Sequence, residues 1–97
     1  MTLAVYGPLG RQFTRVLARL PRDVRRAHTF RWVDTLGGES VVTADAHILW
    51  SRFASHQLQN AILSKINRDR SRLWLTTTWS VEAVLALLHT RAAGATA

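Results

Sequence analysis

The apolar residues of this chain change their spacing several times, and this restricts the fold to a mixture of helices and strands. Between residues 13 and 27 they recur at steps of three and four, which places them on one side of a helix. Residues 2–6 are rich in strand formers, and residues 29–34 and 72–79 alternate between apolar and polar side chains. Both kinds of element are therefore expected around one core.

The size and composition of the chain predict one domain stabilised by packing. A chain of 97 residues without cysteine has no disulfide or thiolate metal site to hold a second, smaller core. We expect a single domain over residues 1–93 and a frayed tail over residues 94–97. No apolar run approaches the ~20 residues of a membrane span, and the start lacks the pattern of a secretory signal. A soluble, cytoplasmic protein is expected.

Proline and turn residues divide the first half of the chain. Pro21 lies inside the first helical pattern and is expected either to kink that helix or to split it. The alternating residues 29–34, the turn-forming residues 35–39 and the apolar residues 40–43 predict a β-hairpin. A helix from Pro21 to Gly37 is the alternative, but its apolar residues would scatter around the axis.

The second half predicts a long helix, a strand and a final helix. Apolar residues recur every four positions from Ala46 to Ile66, so a helix is expected from about residue 43 to Asn67. Ser80 is placed to cap a helix that follows the alternating residues 72–79. The fold class is therefore predicted as α+β with the order βαββαβα, a ferredoxin-like (split βαβ) sheet with an extra C-terminal helix.

Positive charge is the unusual property of the composition. Lys and Arg number 13 against 6 Asp and Glu, a formal net charge of +7, and Lys65 is the only lysine. Arginine presents a planar fork of donors that suits phosphate or carboxylate. Codon usage in a GC-rich genome would explain arginine in place of lysine, but it would not explain the imbalance of charge. An acidic partner is therefore expected.

Nearly half of this charge follows one helical face. Five arginines succeed one another at steps of four, four, three and four, and on a continuous helix they would lie within roughly 80°, opposite the apolar side chains. Arg25 flanks them. We call these six residues the arginine stripe: Arg11, Arg15, Arg19, Arg22, Arg25 and Arg26. Such a face is typical of phosphate binding, and a merely solvated helix surface is the alternative.

Three further arginines and one tryptophan complete the predicted binding residues. Arg68, Arg70 and Arg72 lie in a polar segment before the last strand, and we call them the loop cluster. Trp74 is predicted to point away from the more apolar side of that strand, where an aromatic ring would stack on an unpaired base.

Signs of catalysis are few. His47 and His56 are nine residues apart, so on one helix they would lie on opposite sides and could not share a metal ion. Residues 7–12 lie between a strand and a helix but lack the glycine and lysine pattern of a phosphate loop. We expect no enzyme, no cofactor and no metal.

The leading hypothesis is a non-catalytic nucleic-acid-binding protein or small regulator that contacts phosphates through the arginine stripe. The alternative is a modulator or inhibitor that docks an acidic protein, as small proteins of phages and mobile elements do. Attachment to an anionic membrane ranks below both, because the apolar side of the helix is needed for the core. Exposed sheet edges would also allow a homodimer.

Overall fold

The protein consists of four strands and four helices in the part of the chain that the computed structural model describes, residues 1–34, 41–53 and 55–92. The strands are β1 (Thr2–Tyr6), β2 (Thr29–Val33), β3 (Ala46–Trp50) and β4 (Leu73–Thr76). The helices are α1 (Gly10–Arg19), α2 (Arg22–Ala27), α3 (His56–Lys65) and α4 (Val81–Leu87). Short 3-10 turns over Ser51–Phe53 and Arg70–Arg72 and a π-helical turn over Leu88–Ala92 complete these elements.

The four strands form one parallel sheet in the order β2–β1–β3–β4. A ferredoxin-like sheet is not confirmed, because neither this strand order nor the parallel pairing matches it. The predicted hairpin is also wrong, since β2 pairs with β1 in parallel from Thr2↔Thr29 to Tyr6↔Val33. Residues 41–43 form no strand. The predicted turn over residues 35–39 and the predicted tail over residues 94–97 lie outside the described part of the chain.

Helices cover both faces of the sheet. One face packs under α1, α2 and α4, and the other packs under α3. The first face contributes Leu3, Val5, Ile48 and Trp74, together with Phe13, Val24 and Val84 from the helices and Leu20 from the link between α1 and α2. The second face contributes Ala4, Tyr6, Leu49 and Leu73, together with Leu58, Ile62, Leu63 and Ile66 from α3 and its end. This three-layer arrangement is that of open, doubly wound parallel sheets.

The predicted long helix over residues 43–67 is wrong in its first half. Ala46–Trp50 is the central strand β3, and α3 begins only at His56, where the Ser55 Oγ accepts a hydrogen bond from the Leu58 N–H at 3.1 Å. A central strand of a parallel sheet is buried on both faces, so its sequence is an unbroken apolar run rather than an alternating one. Such a run has no period that separates strand from helix.

Two local predictions are confirmed. Leu20 and Pro21 have extended backbone (ψ 147° and 148°) and divide the first helical region into α1 and α2. Ser80 caps α4, because its Oγ accepts a hydrogen bond from the Ala83 N–H at 3.1 Å. Both signals act within a few residues, so the local sequence was sufficient to predict them.

Candidate functional site

The carboxyl ends of β1 and β3 are the place where open parallel sheets of this kind usually bind ligands, because the chain leaves these two strands toward opposite faces. Gly7 has φ 115°, and a Cβ there would lie 2.7 Å from the Cβ of Trp50. The Trp50 Nε1 donates to the carbonyl of Thr77 at 3.1 Å, and the Ser51 Oγ donates to the carbonyl of Thr76 at 3.2 Å. These contacts connect the ends of β1, β3 and β4, so their side chains stabilise this edge of the sheet.

The first half of the arginine stripe lies on α1. Arg11, Arg15 and Arg19 are exposed, whereas Phe13 is buried and Leu17 is half-buried against the sheet. The helix thus separates its charged and apolar sides as the spacing predicts.

The second half of the stripe lies on α2. Arg22, Arg25 and Arg26 are exposed, and Val24 packs against the same core as α1. Because Leu20 and Pro21 interrupt the helix, the stripe consists of two sets of three arginines rather than one continuous row.

No arginine side chain of the stripe forms a hydrogen bond or ion pair with another residue in the described part of the chain. Each pair of arginines four apart on a helix repels by about 0.2–0.5 kcal/mol. The charge distribution is therefore mildly unfavourable for folding.

The helix dipoles distinguish the arginines of the stripe from one another. Arg19, Arg25 and Arg26 lie in the last turns of their helices, where positive charge is stabilising. Arg11 and Arg22 lie in the first turns of α1 and α2, where positive charge is unfavourable. These two positions thus carry charge that the fold itself does not favour.

The loop cluster lies at the amino end of β4, and its three members have different environments. Arg68 is exposed in a left-handed turn (φ 58°), and Arg70 is exposed in the 3-10 turn that follows. Arg72 is half-buried, and its Nε donates to the carbonyl of Asp45 at 2.8 Å and its Nη2 to that of Ala44 at 2.6 Å. Arg72 therefore fastens the chain before β3 to β4 rather than extending the stripe.

The prediction that Trp74 offers a stacking surface is wrong. Trp74 is fully buried beneath α4, and its Nε1 donates to the carbonyl of Ser71 at 3.0 Å. Among the aromatic residues whose burial the structure describes, the exposed one is Trp32, which keeps 38% of its surface accessible. Its ring lies 3.5 Å from the position that a Cβ at Gly10 would take, so it adjoins the start of α1, where Arg11 follows Gly10 in the chain. Alternation within β2 indicated that Trp32 and Arg31 point to opposite faces, but not that both side chains are exposed.

His47 and Tyr6 form a buried polar pair on the face under α3. The Tyr6 hydroxyl and the His47 Nδ1 are 2.8 Å apart, and the His47 Nε2 has no partner among the described residues. Burial, together with the positive charges of Arg72 and Lys65, lowers the pKa of His47 to about 4. Burial raises the pKa of Tyr6 to about 12. Both groups are therefore neutral near pH 7.

The described residues form neither a metal site nor a membrane span. His47 lies in β3 and His56 begins α3, so the prediction that both lie on one helix is wrong. Within residues 1–34, 41–53 and 55–92 there is no group of three or more His, Asp or Glu residues that could hold a metal ion. No helix in these ranges combines the length and apolar character required to cross a bilayer.

Comparison with known proteins finds no matching family model, curated protein or solved structure.

Proposed function

We propose that this chain is a non-catalytic nucleic-acid-binding protein that contacts phosphates through the arginine stripe. The observation that carries the proposal is that all six arginine side chains are exposed, on two helices over one face of the sheet. None of them has a hydrogen-bond or ion-pair partner among the described residues. Phosphates would relieve the repulsion within the stripe. They would also neutralise the charges of Arg11 and Arg22, which are unfavourable in the first turns of α1 and α2.

Trp32 favours a single strand as the ligand. An arginine-lined surface that follows the backbone, with an aromatic ring on which a base stacks, is typical of proteins that bind unpaired strands. Contact with six phosphates would give a slope of log K against log salt of about −4 for a single strand.

Exchanging Arg11 and Arg22 for glutamate together is expected to weaken binding and to stabilise the fold. The slope of log K against log salt should become less steep by about 1.4, since each phosphate contact with a single strand contributes about 0.7. Glutamate in the first turn of a helix should add about 0.3–1 kcal/mol per site to the free energy of unfolding. Fluorescence anisotropy with a labelled strand of about 16 nucleotides measures the binding, and thermal unfolding measures the stability.

The matched control exchanges Lys65 and Arg91 for glutamate, which changes the charge equally at exposed positions outside the arginine stripe and the loop cluster. This variant is expected to keep most of the affinity. Equal losses in both variants would assign binding to net charge alone, and unchanged binding in Arg11→Glu/Arg22→Glu would refute the proposal. Capture of an acidic protein from a lysate after nuclease treatment, by the unmodified protein but not by Arg11→Glu/Arg22→Glu, would instead support the acidic-protein alternative.

Replacing Trp32 is expected to affect affinity without affecting the salt slope. Trp32→Ala should lose about 1–3 kcal/mol of binding free energy if the ring stacks on a base, and Trp32→Phe should keep most of it. Both variants lose the hydrogen bond from Nε1 to the carbonyl of Pro8, so that bond cannot account for a difference between them. Equal affinities of the two variants in the same anisotropy assay would contradict a stacking role.

A further inference from the structure

A polar cavity lies at the amino ends of the strands, on the face of the sheet opposite the arginine stripe. Its volume is about 540 Å³, which is within the range of small-molecule sites. We call it the amino-end cavity, and it is lined by Thr2, Thr29, Arg31, Thr43, Ala44, Asp45 and Arg72. We infer that this cavity binds an anion of the phosphate class between Arg31 and Arg72.

Two guanidinium groups reach the amino-end cavity from β2 and from the turn before β4. Arg72 is held in place by the carbonyls of Ala44 and Asp45, which use its Nη2 and Nε and leave Nη1 available. Arg31 is exposed, and among the described residues its side chain forms one long hydrogen bond, from Nη1 to the carbonyl of Thr43 at 3.4 Å. A fixed and a movable guanidinium at one cavity would close on an oxyanion with charge-assisted hydrogen bonds.

The other polar groups of the amino-end cavity also favour an anion. The hydroxyl groups of Thr2, Thr29 and Thr43 donate to no other residue in the described part of the chain. Asp45 is the one carboxylate in the lining, and its Oδ2 already accepts the Thr2 N–H at 2.6 Å. The lining thus has a formal charge of +1, from two arginines and one aspartate, and an excess of free donors.

This inference does not rest on the proposed function, because the cavity and the arginine stripe lie over opposite faces of the sheet and share no residue. The two sites can therefore be tested separately in the same protein.

Titration of the ¹⁵N-labelled protein with inorganic phosphate, at ionic strength held constant with chloride, tests the inference. We expect saturable shifts of the amide signals of Thr2, Thr29 and Thr43. Arg31→Gln should weaken phosphate binding by about tenfold or more, as expected for loss of a hydrogen bond to a charged group. Arg31→Lys keeps the charge but not the planar fork, so its affinity for phosphate should lie between those of the unmodified protein and Arg31→Gln.

Arg91→Gln removes one exposed arginine that belongs neither to the amino-end cavity nor to the arginine stripe. It is the matched control and should bind inorganic phosphate as the unmodified protein does. Arg72 is left unchanged because its side chain holds the backbone before β3. Linear shifts without saturation, unchanged binding in Arg31→Gln, or shifts confined to α1 and α2 would each overturn the inference.

Discussion

Replacing Trp74 with alanine is expected to lower the free energy of unfolding by about 3–5 kcal/mol. The side chain is fully buried between β4 and α4, so its removal leaves a cavity in the core. The carbonyl of Ser71 also loses the indole N–H that it accepts at 3.0 Å. Urea denaturation followed by circular dichroism measures the change.

The matched comparison is Trp32→Ala, which removes the same atoms from a side chain that is 38% exposed. We expect this variant to lose roughly 1 kcal/mol, because its ring covers less apolar surface. Equal losses at the two positions would show that Trp74 is not a core residue in solution.

Acidification from pH 7 to pH 4 is expected to remove about 3 kcal/mol of stability through His47. The pKa of this buried imidazole is about 4 in the folded protein, against an ordinary value of 6.5. Between these values the unfolded chain takes up a proton that the folded chain does not. The contribution is therefore fully present above pH 6.5 and is lost as the pH falls toward 4.

The variant His47→Gln isolates this contribution, because an amide does not titrate and can still accept the Tyr6 hydroxyl. Measured by urea denaturation at several pH values, its stability should depend less on pH between 6.5 and 4 than that of the unmodified protein. A smaller dependence will remain, since partial burial also lowers the pKa of His28. Identical pH profiles for the two proteins would contradict a neutral, buried His47.

The sequence predicts those features of the fold that depend on neighbouring residues. The helical period places the arginines of α1 and α2 opposite their apolar residues, Pro21 ends the first helix, and Ser80 caps α4. β3 was not predicted, because a strand buried on both faces shows no alternation of apolar and polar residues. The parallel pairing of β2 with β1 was not predicted either, since nothing in the sequence near β2 shows whether its partner is β1 or residues 40–43.

The same distinction applies to the candidate sites. The exposure of the stripe follows from periodicity, but alternation in β4 shows only that Trp74 and Leu75 point to opposite faces. Which face a helix covers depends on the whole topology, and here α4 covers Trp74 while Leu75 is 47% exposed. The amino-end cavity joins Arg31 to Arg72 across the sheet, and no spacing in the sequence indicates that meeting.

The all-parallel sheet also determines how the chain must reach its native state. β1 pairs with a strand 27 residues later (Thr2↔Thr29) and with another 43 residues later (Leu3↔Ala46), and β3 pairs with a strand 26 residues later (His47↔Leu73). None of these ladders can be nucleated by a tight turn, so loop-closure entropy must be overcome before any of them forms. Such high contact order predicts folding over milliseconds to seconds rather than microseconds. During that interval the apolar segments of β1 and β3 are exposed to aggregation.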